Sequence, residues 1–244
     1  MAKNITKKEL KKILSEKHQF EDGCLIDTSV LFGAILDTDL YHEDASEIIS
    51  LMTERRIPRF INANIRSEFL NNARRVIIAE AAVDLYEDYG SLLPDKIYDK
   101  LRSLHRRAND AKDSGKTFRV QEEEIKQIKK LFQDVGATFV EPIWELFCSS
   151  YLNGKLQSEW RRVEDEMGIN SISFTKGDSE GLLQSDLSWD EVIRVIENSG
   201  SASSDAMIIN LFSASKLKLI ITSDEDFAEV VSDFSSDDKI VCCL

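Results

Sequence analysis

The chain has 244 residues, 42% of them hydrophobic and 31% charged, with a formal net charge of −13. That balance excludes a disordered chain and fits one large core, or a core with a helical appendage. The negative charge excludes broad coating of nucleic acid, which needs a basic face, but not an enzyme that meets phosphates through metal ions held by acids.

No apolar run approaches the about 20 residues of a membrane span, and Met1 to Leu10 contain no apolar signal core. A cytoplasmic protein with no membrane partner is therefore expected. Cys24, Cys148, Cys242 and Cys243 form no CxxC pair, so reduced and largely buried thiols are expected. Charge is uneven along the chain. Residues 90–130 hold eleven Lys or Arg against seven acids, and residues 176–244 hold five against fourteen. Such asymmetry hints at partners, although solvated helix faces explain the basic stretch equally well.

In chain order, residues 5–18 read as an amphipathic helix. Thr6 is its N-cap, Glu9 completes a capping box, and Ile5, Leu10, Ile13 and Leu14 form the stripe. Cys24-Leu25-Ile26-Asp27 follows Gly23 as a short apolar run, which predicts a buried parallel strand ending at Asp27. Thr28 or Ser29 then suits the cap of a helix. A helix near 43–54, a strand at 58–62 and a long helix from 63 to 89 come next, the last with Ile65, Phe69, Ala73, Ile77 and Ala81 at four-residue spacing. Residues 91–199 read as a helical insertion: Pro94 opens a helix, Asn170 to Gly181 reads as a loop, and Trp189 to Ile196 as a further helix. A second unit closes the chain, with a helix at 203–215, a strand at 217–221, a short helix at 226–231 and a strand at 239–244.

Strand–helix alternation at both ends predicts an α/β fold, a Rossmann-like three-layer α/β/α sandwich with a mostly parallel sheet. The domain division expected is 1–90 with 200–244, interrupted by 91–199.

Four acids fall at strand ends or open helices: Asp27 after the first apolar run, Glu68 beside the buried stripe of the long helix, Asp205 after Ser203-Ser204, and Asp224 after Leu219-Ile220-Ile221. Asp226 stands two residues on. Singly, each has an ordinary role as a cap or a solvated acid. Together they suit Mg²⁺ or Mn²⁺, which prefer carboxylate and water oxygens, and such a cluster cannot stay fully ionised without a cation. His18, His42 and His105 do not pair with cysteines at zinc spacing, and no phosphate-binding glycine motif is present. The three tryptophans, Trp144, Trp160 and Trp189, lie in helical patterns and are expected in the core.

Asp27-Thr28-Ser29-Val30-Leu31 after a strand, an acid about forty residues on, Ser203-Ser204-Asp205-Ala206 opening a late helix, and Ile221-Thr222-Ser223-Asp224-Glu225-Asp226-Phe227 after a late strand resemble the PIN domain family. The resemblance covers roughly 22–78 and 200–244. It implies a metal-dependent endoribonuclease, as in toxin–antitoxin toxins and RNA-processing factors. Asp27, Glu68, Asp205 and Asp224 match the family's acidic tetrad as catalytic and metal-binding residues. Asp226 is a candidate outer ligand, and Ser29 and Ser223 stand where the family often has a supporting hydroxyl. Mg²⁺ or Mn²⁺ is the implied cofactor and RNA the implied substrate. The insertion departs from small family members and is a candidate dock for a protein inhibitor or partner, or for a homo-oligomer interface. Two other readings remain open: a non-catalytic PIN-like scaffold, and a small-molecule phosphohydrolase on a related fold. The aspartate-nucleophile phosphatases want a second Asp where Ser29 stands, which weakens the last.

Overall fold

The computed structural model describes residues 1–15, 20–136, 143–172 and 181–244. Among these, six strands form one all-parallel sheet: β1 (Lys3–Thr6), β2 (Cys24–Ile26), β3 (Arg59–Ile61), β4 (Ile169–Ser171), β5 (Leu219–Thr222) and β6 (Ile240–Cys243), in the order β1-β6-β5-β2-β3-β4. The central strands β2 and β5 are buried at every position, as a strand covered on both faces must be. The fold is the expected three-layer α/β/α sandwich.

Its helices are α1 (Lys7–Ser15), α2 (Thr28–Ile35), α3 (His42–Glu54), α4 (Ala63–Tyr89), α5 (Asp95–Asp113), α6 (Glu122–Gly136), α7 (Ile143–Tyr151), α8 (Lys155–Arg161), α9 (Trp189–Ser199), α10 (Ser203–Ala214) and α11 (Glu225–Phe234). One group packs α1 on α3 and α3 on α2; another packs α9 on α10 and α10 on α11.

The chain divides into two compact units: residues 1–37, 41–69 and 162–244, and residues 38–40 and 70–161. The first holds the sheet. The second has its own apolar cluster, including Ile78, Leu101, Leu104, Ile125, Ile128, Phe132 and Phe147. The middle of the sequence is thus shared out differently from the expected 91–199 insertion. Residues 169–171 supply β4 to the sheet beside β3, and α9 packs on α10. Asn170 and Ser171, expected in a loop, are strand, while residues 173–180 of that stretch lie outside the described residues.

The N-terminal reading also changes. Residues 5 and 6, expected in the helix, belong instead to edge strand β1, paired with β6, and the helix begins at Lys7. Residues 16–18, its expected end, lie outside the described residues. The capping box forms as read, with Thr6 N donating to Glu9 Oε2 at 2.9 Å and Glu9 N to Thr6 Oγ1 at 3.4 Å. Gly23 takes φ +99 before β2, and a Cβ there would lie 2.6 Å from the Pro58 carbonyl oxygen. Only glycine fits that approach, which lets Cys24 N donate to Pro58 O at 2.9 Å and sets β2 against β3.

Trp160 is buried, but Trp189 is 67% exposed. It lies on the outer side of α9, so the core role expected for it is corrected. All four cysteines are free, with Cys24 and Cys242 buried. No described helix is long and apolar enough to cross a membrane.

Candidate functional site

The sheet order fixes where a site forms. From β2 the chain moves outward through β3 to β4, then returns beside β2 with β5 and continues to β6 on the other side. The order therefore reverses between β2 and β5. In open parallel sheets the crevice beyond the carboxyl ends of the strands at such a reversal is where ligands bind.

Asp27 stands at that point. It follows β2 and is itself the N-cap of α2, the role expected for Thr28 or Ser29. Three donors converge on its Oδ2: the Ser29 hydroxyl at 2.7 Å, the Thr222 hydroxyl at 2.9 Å and the Ser29 backbone N–H at 3.4 Å. Thr222 closes β5 next door, where Asp27 N donates to Ile221 O at 3.0 Å. Burial raises the Asp27 carboxyl above its ordinary value, and the hydroxyls of Ser29 and Thr222 act the other way. A second tier holds those hydroxyls. Ser223 N donates to Ser29 Oγ, and Asp224 N to Thr222 Oγ1, both at 3.0 Å. Ser223, expected to offer its hydroxyl, enters through its backbone N–H. Thr222 supplies the second hydroxyl at Asp27, and sequence reasoning missed it.

Glu68 lies on the second turn of α4. Thr28, the first residue of α2, donates its hydroxyl to Glu68 Oε2 at 3.0 Å. The residue as a whole is solvent-accessible, but its carboxyl end lies among protein atoms. Desolvation raises it first, and then the charges of Asp27, Asp205 and Asp224. Asp205 is in the first turn of α10, with Ser204 Oγ 3.3 Å from its Oδ1. Desolvation and then Asp27 raise it, with Asp224 adding to them. Asp224 caps α11, its Oδ1 accepting from Phe227 N at 3.0 Å. Four acids from four places in the sequence thus act on one another at the carboxyl edge. Asp226 is exposed on the first turn of α11, and the acids that raise Asp205 are Asp27 and Asp224, not Asp226.

Asn62 adds a feature that sequence reasoning did not single out for the site. It follows β3 as Asp27 follows β2. Its Oδ1 accepts from Ile65 N at 2.9 Å and caps α4, the helix that carries Glu68. Its Nδ2 is buried with no hydrogen-bond partner. An Asn at the start of a long helix is the signal that marked this cap.

The donor set is one that Mg²⁺ or Mn²⁺ accepts, since it consists of carboxylate oxygens. Among the described residues, however, no three His, Cys, Asp or Glu side chains stand close enough together to hold an ion as they are placed. The hydrogen bonds from Ser204 to Asp205 and from Phe227 to Asp224 already engage an oxygen of each of these two acids.

No family model, no curated protein and no solved structure matches this chain.

Proposed function

We propose that the protein is a metal-dependent endoribonuclease of PIN-domain type, with Asp27, Glu68, Asp205 and Asp224 as its metal-binding carboxylates. One observation carries the reading. Four acids far apart in sequence lie along the carboxyl edge beside the β2–β5 reversal, where desolvation first, and then neighbouring acids, raise Glu68 and Asp205. Groups of like charge gathered in a crevice mark a functional site more often than a structural one.

A bound Mg²⁺ or Mn²⁺ supplies an activated water and neutralises charge on a phosphodiester. The chain's own part is positioning. Ser29 and Thr222 hold the Asp27 carboxylate in one orientation, and Thr28 holds Glu68 against α2. Asp226 and the hydroxyl of Ser223 belong to an outer ring in this reading.

Asp27→Asn and Asp205→Asn are each expected to lower Mn²⁺-dependent RNA cleavage by a factor of about a thousand or more while the fold, read by circular dichroism, stays intact. Full activity of both variants would sink the reading. The scaffold alternative has one observation in its favour, that the acids do not already stand at ligand spacing. Calorimetry that detects no Mn²⁺ binding to the wild-type chain would select it.

A further inference from the structure

We propose that the outer face of α9 is a docking site for a basic segment of another protein, which seats a large apolar side chain there between lysines or arginines. Trp189 is 67% exposed and Ile193, one helical turn on, 49% exposed. Beside them opens a cavity of about 260 Å³ walled by Leu187, Trp189, Val192 and Met207, with Ser188 and Asn210 at its polar side. Large apolar side chains gathered next to a preformed apolar cavity mark an interaction surface, unlike scattered exposed leucines.

Volume and charge select the occupant. The cavity is smaller than the roughly 300–1,000 Å³ of small-molecule sites, and fits one or two side chains. Asp190, Glu191 and Glu197 are exposed on the same helix, and Asp186 just before it. The one base on the helix, Arg194, is held by Glu191 at 2.7 Å and lies over the Phe234 ring at 5.3 Å. The exposed side of α9 therefore carries a net negative charge. It repels RNA and anionic lipid, and it repels the same face of a second copy, since like charges set against each other disfavour that pairing. A positively charged segment with an apolar anchor meets both demands. Exposed aromatic anchors of this kind carry much of the energy of such contacts. The docking proposal stands independently of whether the acidic edge cleaves RNA.

The test uses the full chain and a synthetic amphipathic leucine–lysine peptide, with Trp fluorescence and calorimetry as readouts. Binding is expected to weaken as salt rises, and to weaken at least tenfold in Trp189→Ala. That variant removes an exposed ring, and an unchanged Tm verifies its fold. Asp190→Asn with Glu197→Gln is expected to flatten the salt dependence and leave the remaining affinity to the apolar contact. A leucine–glutamate peptide is expected not to bind. Equal peptide affinity in wild type and Trp189→Ala would overturn the proposal in favour of diffuse charge attraction. Loss of self-association in Trp189→Ala by sedimentation would overturn it in favour of a second copy. Loss of RNA or anionic-vesicle binding in that variant would overturn it in favour of those partners.

Discussion

Thr222 is a single hydroxyl on which much of the acidic edge depends. It donates to Asp27 and accepts from Asp224 N, so it joins two of the four carboxylates. Thr222→Val keeps the shape and removes both bonds. The Asp27 carboxyl loses a group that opposes its rise, and the pH at which half-maximal cleavage is reached is expected to move upward in a pH–rate profile. Asp205 gives a stability counterpart. Its native pKa lies above the unfolded value, so between the two the native chain holds more protons than the unfolded one. Stability falls as pH rises through that window. Asp205→Asn is therefore expected to raise the Tm of the metal-free protein at neutral pH. The gain should shrink as pH falls through that window and vanish well below the unfolded value of 3.8, where the wild-type carboxyl is protonated in both states. Added Mn²⁺ is expected to raise the wild-type Tm more than that of the variant. Identical melting curves across pH would contradict the repulsion on which the site reading rests.

At the scale of elements, two small features set the strands that carry the site. Gly23 lets β2 lie against β3, and Gly23→Ala forces a Cβ into the Pro58 carbonyl at φ +99. A loss of about 1–3 kcal/mol is expected in urea unfolding. Lys239 does the equivalent work beside β6. Its Nζ is buried and donates to the carbonyls of Phe212, Ser215 and Leu217 at 3.0, 2.6 and 2.6 Å, closing the end of α10. Burial pushes it down to about 8, against those three carbonyls, which favour the ammonium. Between pH 8 and the unfolded value of about 10.5, the unfolded chain holds the proton and the native chain does not. Stability therefore rises with pH across that interval. Lys239→Met should abolish this rise and cost about 1–3 kcal/mol for the carbonyls left bare. Elements differed in how readily the sequence revealed them. β2 was legible because three buried apolar residues end in a cap. β1 was not, because Lys3, Asn4 and Thr6 are exposed on an edge strand and the Thr6–Glu9 box pulls the reading toward helix. β4 was hidden because only Ile169 of its three residues is buried. Trp189 has helical spacing, and spacing cannot say which side of a helix meets the core.

For the whole molecule, the apolar cluster of residues 78–147 lies within one compact unit and the sheet within the other. Phe132 is among the largest fully buried side chains. Phe132→Ala is expected to cost about 3–5 kcal/mol. Native-state hydrogen exchange should place the loss of protection in residues 78–147 while β2 and β5 keep theirs. Equal loss in both would make the chain one cooperative unit. The acidic edge was legible in part. Asp27, Glu68, Asp205 and Asp224 each carried a local mark, a strand end or a helix start. Thr222 carried none, because its place beside Asp27 depends on pairing across 195 residues.

The sheet order has a consequence for the protein's synthesis. β1 bonds only to β6, and β2 receives its second neighbour only when β5 has been made. At about 5–20 residues per second on the ribosome, the interval between Asp27 and Thr222 lasts roughly ten to forty seconds. Throughout it β2 has a bare edge and Asp27 lacks its Thr222 donor. Until β5 emerges, the nascent chain holds Asp27 and Glu68 without the strand that brings Thr222 and Asp224 beside them.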